Sequence, residues 1–274
     1  MTEKTYATPL GTIHYWVSKA EAGAPPLVFL PGLTADHRLF EKQTEYFEGQ
    51  CTVLVWDAPG HSASRPFTLS FTLADKARWL HEILASEGIE RPVFIGQSMG
   101  GYVSQCYMEL YPRSLSGFVS VDSAPLQRKY VTAAEIWLLR RMTPVYRAYP
   151  WKQLVNAGSN GVAVSAHGKQ LMRDMMGHYS SEEYSVLAGH GYKMLADAMD
   201  ADLPYKIDCP CLLLCGEDDR AGSTKRYNRR WTREAGLPIV WLKGAGHNSN
   251  TDVPDEVNRL IEQFARNKAA TSVF

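Results

Sequence analysis

A serine between two glycines is the feature of this sequence most suited to chemistry. It stands in Gly96-x-Ser98-x-Gly100, after the apolar run PVFI and before a helix-like segment. Glycines at a strand-to-helix turn let neighbouring backbones approach closely, so the serine projects above the end of the strand. The spacing and its context therefore predict that Ser98 is a nucleophile.

A serine hydroxyl needs a base to accept its proton at neutral pH. His247 directly follows the last buried apolar run, in a glycine-containing loop. This position would bring its imidazole to the same edge of a sheet as Ser98, and we interpret His247 as the base. His61 follows Asp-Ala-Pro-Gly and would tighten that loop, and His81 lies within a helix pattern. The rival histidines are His37, His61, His81, His167, His178 and His190.

The carboxylate that would orient His247 has several candidates. One apolar run ends in Glu217, Asp218 and Asp219, and another ends in Asp122. All four would reach the carboxyl edge of a parallel sheet, so position alone does not select among them. The order serine, acid, histidine along the chain is compatible with a triad built on a strand-to-helix turn.

Two backbone N–H groups could stabilise an oxyanion next to Ser98. One belongs to Met99, at the start of the helix-like segment. The other belongs to Leu33, in the loop after the run LVFLPG, where Gly32 permits a tight turn. Only the amide of Leu33 would matter for this role.

The elements that must position these residues follow a regular pattern. Six short apolar runs alternate with helix-like segments from residue 26 onward, and residues 4–19 read as two strands around a Pro-Leu-Gly turn. Continuous apolar runs are typical of parallel strands buried on both faces. The pattern predicts an α/β fold, with a doubly wound, mostly parallel sheet that begins with an antiparallel hairpin.

Residues 126–202 interrupt the alternation, because they contain helix-like segments and no buried strand. We predict a helical cap insertion there, between core parts at 1–125 and 203–274. The insertion holds six of the nine methionines, which suit either core packing or an adaptable pocket wall. Residues 128–152 are rich in arginine and lysine, which indicates either a solvated face or a basic wall for anionic substrates.

Composition excludes some classes of partner. The 29 basic and 29 acidic residues cancel, which gives no electrostatic reason to expect nucleic acid. No run is long enough for a membrane span, and the first residues do not resemble a signal peptide. Five cysteines are an odd number for a disulfide framework, and the spacing of Cys209, Cys211 and Cys215 fits no usual zinc site. We expect a cytoplasmic monomer or homodimer that acts on a small molecule.

Together these features resemble the α/β-hydrolase superfamily, in particular its cap-bearing serine esterase, lactonase and carbon–carbon-hydrolase-like branch. The resemblance covers nearly the whole chain and is carried by FLPGLTA, VLVWDAPGHSASRP, VFIGQSMGGYVS, LLLCGEDD and GAGHNSN. Pro31-Gly32 stands where His-Gly is usual, and Ser62 stands where glycine is usual. Ser98 argues against dehalogenase or epoxide chemistry, because those members carry aspartate at this position.

The resemblance selects Asp219 as the acid, because the family's acid stands three residues after the glycine of a Gly-Glu-x-Asp turn. It implies an acyl-enzyme intermediate, no metal and no organic cofactor, and a cap at residues 126–202. The leading interpretation is a serine hydrolase of a small carboxylic ester, lactone or thioester. One alternative keeps the triad for carbon–carbon hydrolysis, or a lyase or synthase reaction, on an anionic diketone-like substrate. Another is a non-catalytic ligand-binding protein that has kept the fold.

Overall fold

In the part of the chain that the structure describes, eight strands form a single sheet in the order β1-β2-β4-β3-β5-β6-β7-β8. The computed structural model describes residues 1–20 and 24–271, with side chains up to residue 266. The strands are β1 (Thr2–Thr8), β2 (Gly11–Ser18), β3 (Leu27–Leu30), β4 (Val53–Trp56), β5 (Val93–Gln97), β6 (Gly117–Val121), β7 (Cys211–Gly216) and β8 (Ile239–Leu242). β2 pairs antiparallel with β1 and β4, and every later pair is parallel. The predicted fold class is therefore confirmed.

Burial explains the two kinds of strand. Every residue of β3, β4, β5 and β6 is buried, as expected for strands covered on both faces. In β2, by contrast, Ile13, Tyr15 and Val17 are buried while the residues between them are more exposed. This alternation places one face of the hairpin on the core.

Helices cover both faces of the sheet. They are α1 (Glu41–Phe47), α2 (Leu73–Ser86), α3 (Met99–Leu110), α4 (Ala133–Leu139), α5 (Met142–Ala148), α6 (Trp151–Val162), α7 (Ala166–Gly177), α8 (Ser181–Asp200), α9 (Thr224–Ala235), α10 (Ser249–Asp252) and α11 (Pro254–Thr271). The core on one face includes residues of α2, α3 and α9, and the core on the other includes residues of α1 and α11. This is the doubly wound arrangement.

Local sequence sets several helix ends. The Thr72 side chain accepts from the backbone of Asp75, and the Asp75 side chain bonds back to Thr72, so α2 begins with a capping box. α9 ends at Gly236, whose φ of 66° suits glycine.

The segment between β6 and β7 contains the five helices α4 to α8. Leu154, Met172, Met176 and Tyr184 belong to a small core of this segment, whereas Met175 packs into the core of the sheet. The methionines of this segment therefore serve largely as packing residues.

Within the described residues, no helix combines the length and the apolar character needed to cross a membrane.

Gly100→Ala should strongly destabilise the protein. A Cβ at position 100 would lie 1.9 Å from the carbonyl oxygen of Leu30, which is backbone and cannot swing away. We expect a loss of about 1–3 kcal/mol or more in the free energy of unfolding, measured by urea denaturation. Gly161→Ala in α6 is the matched control, because a Cβ there meets no atom within 4 Å. It should be neutral or stabilise by up to about 1 kcal/mol. Equal stability of both variants would contradict the steric argument.

Candidate active site

Ser98 occupies the turn between β5 and α3 in a backbone conformation that is rare for a residue with a side chain. Its φ is 48° and its ψ is −113°. A Cβ on Gly96 would lie 2.6 Å from the carbonyl carbon of Gly100, so the turn has no room for a side chain there. The glycines thus allow a turn from which the Ser98 side chain projects beyond the end of the strand.

The imidazole of His247 contacts Ser98 and Asp219 through its two nitrogens. Nε2 lies 2.9 Å from Ser98 Oγ, and Nδ1 lies 3.0 Å from Asp219 Oδ2. A carboxylate only accepts hydrogen bonds, so Nδ1 donates to Asp219 and leaves Nε2 to accept from the serine hydroxyl. This chain of hydrogen bonds can carry a proton from Ser98 to His247.

Burial strengthens the electrostatic interactions within this chain of hydrogen bonds. Asp219 is 3% exposed and His247 is 9% exposed. Burial opposes the imidazolium, but the hydrogen bond and the charge of Asp219, together with the charge of Asp122, outweigh it. The pKa of His247 is therefore raised above its ordinary value. Such an imidazole is a stronger base than one in water.

The two predicted oxyanion amides belong to backbone beside Ser98. Met99 is the first residue of α3, and a first-turn amide has no acceptor within its own helix. Leu33 follows Gly32, where a Cβ would lie 3.2 Å from the Cβ of Ser98. The Leu33 side chain packs on α8, since a Cβ on Gly191 would lie 2.4 Å from its Cδ1. Sequence reasoning missed this contact.

A cavity of about 170 Å³ lies at Ser98 and His247. The core contributes Leu33, Gln97 and Asn248, among others. The helices between β6 and β7 contribute Tyr146, Leu154, Gly158, Val162, Met172, Tyr184, Ala188 and Tyr192. No lysine, arginine, aspartate or glutamate is among the described residues that line it. The cavity is therefore small, largely apolar and uncharged apart from what His247 carries.

Larger pockets lie elsewhere, with volumes of about 630, 470, 360 and 280 Å³. Their described lining residues include no serine that is hydrogen-bonded to a histidine. The chemistry of the lining, rather than volume, selects the cavity at Ser98 as the candidate site.

Residues 27–260 match the profile of the alpha/beta hydrolase family. The chain belongs to this family.

Relatives of known activity are enzymes of several kinds. The 2-succinyl-6-hydroxy-2,4-cyclohexadiene-1-carboxylate synthase of Salmonella agona is 26% identical over 267 residues, which are 93% of this chain and 99% of the relative. A thermophilic esterase from Thermogutta terrifontis superposes with a TM-score of 0.79 at 22% identity, covering 98% of this chain and all of the esterase. The enol-lactonase of Burkholderia xenovorans LB400 gives 0.77 at 21% identity, covering 95% and 99%. At these identities the solved structures establish the shared fold alone.

The four candidate acids of this alpha/beta hydrolase differ in their surroundings. Glu217 and Asp218 are exposed, whereas Asp219 is buried against His247. Asp122 is also fully buried, but its carboxylate accepts from the amides of Gly216 and Ser249. Asp219 is thus the acid that the structure brings to the imidazole, as the family resemblance implied.

The rival histidines have other contacts. As predicted, His61 tightens its loop, with Nδ1 3.0 Å from the carbonyl oxygen of Pro59. Burial lowers its pKa to about 3, so it stays neutral. The others lie against Asp57 (His37), Tyr107 (His81), Glu41 (His167), Arg38 (His178) and Phe71 (His190).

The basic residues of 128–152 do not line the cavity at Ser98. Arg128 and Arg140 pair with Asp200, Arg147 pairs with Glu182, and Lys129 pairs with Glu234. Arg141 lies over the ring of Trp137, and Lys152 is exposed. The hypothesis of a basic inner wall is wrong for this cavity, because these side chains reach carboxylates and solvent on the surface.

Gln97 is a site residue that the sequence did not reveal. Its Nε2 donates to the carbonyl oxygen of His247 at 2.8 Å and to Oδ1 of Asn248 at 3.2 Å. Gln97 directly precedes Ser98, so it ties the nucleophile turn to the histidine loop. Its place inside the glycine motif was the one available clue.

Among the described residues, two groups of side chains have the composition of a metal site: Asp36, His37 and Asp57, and Asp122, Cys215 and Asp219. In the second group, both oxygens of Asp122 accept backbone amides. Asp219 accepts from His247 and from the amide of Ala221. These oxygens are thus already engaged by hydrogen-bond donors, and the group gives no reason to assign a metal.

Asp219→Asn should lower the pKa of His247. The substitution removes the charge that favours the imidazolium, whereas burial, which disfavours it, remains. An NMR titration of protein with 15N-labelled histidine measures the effect directly. Asp218→Asn is the matched control, because Asp218 is the exposed neighbour of Asp219. The titration curve of His247 in this variant should follow that of the wild type. Identical His247 titrations in Asp219→Asn and wild type would contradict the assigned role of Asp219.

Proposed function

We propose that this protein is a serine hydrolase of small, uncharged carboxylic esters, lactones or thioesters. The observation that carries the proposal is the continuous chain from Asp219 through His247 to Ser98, with the serine at the wall of a cavity. Each member has the position and the partner that its role requires.

Ser98 Oγ attacks the acyl carbon while His247 Nε2 takes the serine proton. The substrate C=O becomes an oxyanion, which the amides of Leu33 and Met99 stabilise. The intermediate collapses as its bond to the leaving group breaks, and His247 returns the proton to that group. Water then attacks the acyl-enzyme, with His247 again as base, and releases the acid and Ser98. Asp219 keeps the imidazole in the required tautomer throughout.

The cavity supports the choice of substrate. About 170 Å³ is below the usual range of roughly 300–1,000 Å³ for ligand pockets, which favours a short or compact acyl group. A carboxylate on that group would be buried without a cationic partner among the described lining residues, which is costly.

The helices from α5 to α8 act as a cap in this proposal. Tyr146, Leu154, Met172 and Tyr184 come one from each of these helices and face the same cavity as Ser98. Residues 126–202 would therefore select the substrate, while the core parts at 1–125 and 203–274 supply the chemistry.

A second candidate is a lyase or synthase reaction that uses the same three residues. The relative from Salmonella agona favours it, because that synthase is named for a carboxylate product and matches 93% of this chain. The uncharged cavity weighs against an anionic substrate and ranks this candidate second.

A fluorophosphonate probe should label Ser98 and no other residue. Ser98→Ala should abolish labelling, and His247→Ala should slow it by about 1,000-fold or more, because the base is lost. Intact-mass and peptide mass spectrometry measure both effects. Ser62→Ala is the control, since Ser62 lies in a different pocket, and should be labelled at the wild-type rate. Folded wild-type protein without an adduct would refute the proposed function.

Neutral short-chain p-nitrophenyl esters should be hydrolysed better than analogues with a carboxylate on the acyl chain, by about tenfold or more in kcat/KM. Arg141→Gln should keep kcat/KM for both kinds of ester within about twofold of the wild-type values. The reason is that Arg141 stacks on Trp137, away from the residues that line the cavity. Steady-state kinetics on matched ester pairs provides the test. A preference for the anionic ester that disappears in Arg141→Gln would favour the second candidate instead.

A further inference from the structure

The end of β6 contacts the backbone of all three segments that carry the triad. β6 lies between β5, which leads to Ser98, and β7, which leads to Asp219. The carbonyl oxygen of Val121 accepts from the Ser98 amide at 2.9 Å, and Ser123 Oγ donates to the Ser98 carbonyl at 2.7 Å. Residues 121 and 123 thus hold the nucleophile turn.

Asp122, between them, holds the other two segments. Its Oδ1 accepts from the amide of Gly216 at 2.7 Å, and its Oδ2 accepts from the amide of Ser249 at 2.9 Å. Gly216 ends β7 just before the turn that carries Asp219, and Ser249 begins α10 at the end of the loop that carries His247. A single carboxylate therefore joins the acid-bearing turn to the base-bearing loop.

This arrangement is costly to form. Asp122 is fully buried, and its φ of 47° is unfavourable for a residue with a side chain. The titratable groups that face it are Asp219, His247 and Cys215. Burial, reinforced by the charge of Asp219 and opposed by His247, raises the pKa of Asp122 to about 7. The free-energy cost of burying Asp122 is explained if the site requires the two hydrogen bonds of this carboxylate.

We propose that Asp122 is a positioning residue, whose carboxylate fixes the Asp219 turn and the His247 loop relative to Ser98. The proposal rests on the proposed function of Ser98 and goes beyond it. Asp122 touches neither the serine hydroxyl nor the imidazole through a hydrogen bond, so it acts through the backbone. Its charge adds a second effect, because it favours the imidazolium of His247.

The test compares Asp122→Asn and Asp122→Ser with Ser120→Ala. An asparagine keeps the size of the side chain but loses the charge and presents an N–H group to one of the two amides. Ser120 lies on β6, two residues before Asp122, and is 1% exposed. Its hydroxyl has no hydrogen-bond partner among the described residues, so Ser120→Ala is a matched control. Thermal unfolding of each variant determines whether it is folded.

The first readout is the rate at which a fluorophosphonate labels Ser98, measured across pH. We expect Asp122→Asn to be labelled about 10- to 100-fold more slowly, because small misplacements of catalytic groups have effects of this size. The acid limb of the profile should move to lower pH, because the Asp122 charge, which the wild type carries above its pKa of about 7, no longer favours the imidazolium of His247. Ser120→Ala should keep the wild-type rate and profile.

The second readout is the downfield NMR resonance of the His247 Nδ1 proton, which requires no catalysis. We expect this resonance to shift or broaden in the Asp122 variants and to stay unchanged in Ser120→Ala. If wild-type protein is not labelled, the proposed function fails, and the resonance alone decides the role of Asp122. The proposal is overturned if both Asp122 variants are labelled at the wild-type rate and keep the wild-type resonance. Loss of folding in both variants, with Ser120→Ala intact, would assign Asp122 to general stability and overturn it as well.

Discussion

The close packing of the Ser98 turn on β3 is the constraint on which the rest of the site depends. The position where Gly100 would carry a Cβ is 1.9 Å from the Leu30 carbonyl oxygen, so α3 can begin there only without a side chain. This contact brings Ser98 next to the loop that follows β3, where Gly32 lies against Gln97 and Ser98. Ser98 and the predicted oxyanion amide of Leu33 are neighbours because the strands that precede them, β5 and β3, are adjacent in the sheet.

A second constraint is the placement of charge in a dry environment. Asp219 and Asp122 are both buried close to His247, and two nearby carboxylates without compensation would repel each other. Backbone amides and the imidazole supply that compensation, with four donors for the four oxygens. The same groups that make the carboxylates tolerable thus also fix the geometry of the imidazole, so stability and positioning have one physical origin here.

Much of this could be predicted from sequence because the information is local. Continuous apolar runs identified the strands, and Ser98 and His247 were found because each follows such a run. Selecting Asp219 needed the family resemblance, since position did not distinguish it from its neighbours. The pairing of Arg147 with Glu182 and the packing of Leu33 on Gly191 join residues distant in sequence, so no local pattern reports them. For the same reason the sequence left open whether the basic stretch was a solvated face or a pocket wall.

In the proposed function, the division between sheet and helices separates catalysis from specificity. Hydrogen bonds at the ends of neighbouring strands hold Ser98, Asp219 and His247, whereas the opposite wall of the cavity comes from helices between β6 and β7. There Tyr146 of α5 packs on Tyr184 and Tyr192 of α8, with ring centroids 5.7 and 6.2 Å apart. A substitution in this aromatic group reshapes the space above Ser98 without altering a hydrogen bond of the three residues. If Ser98 has the proposed role, the reaction chemistry stays fixed in this fold while the accepted acyl group changes.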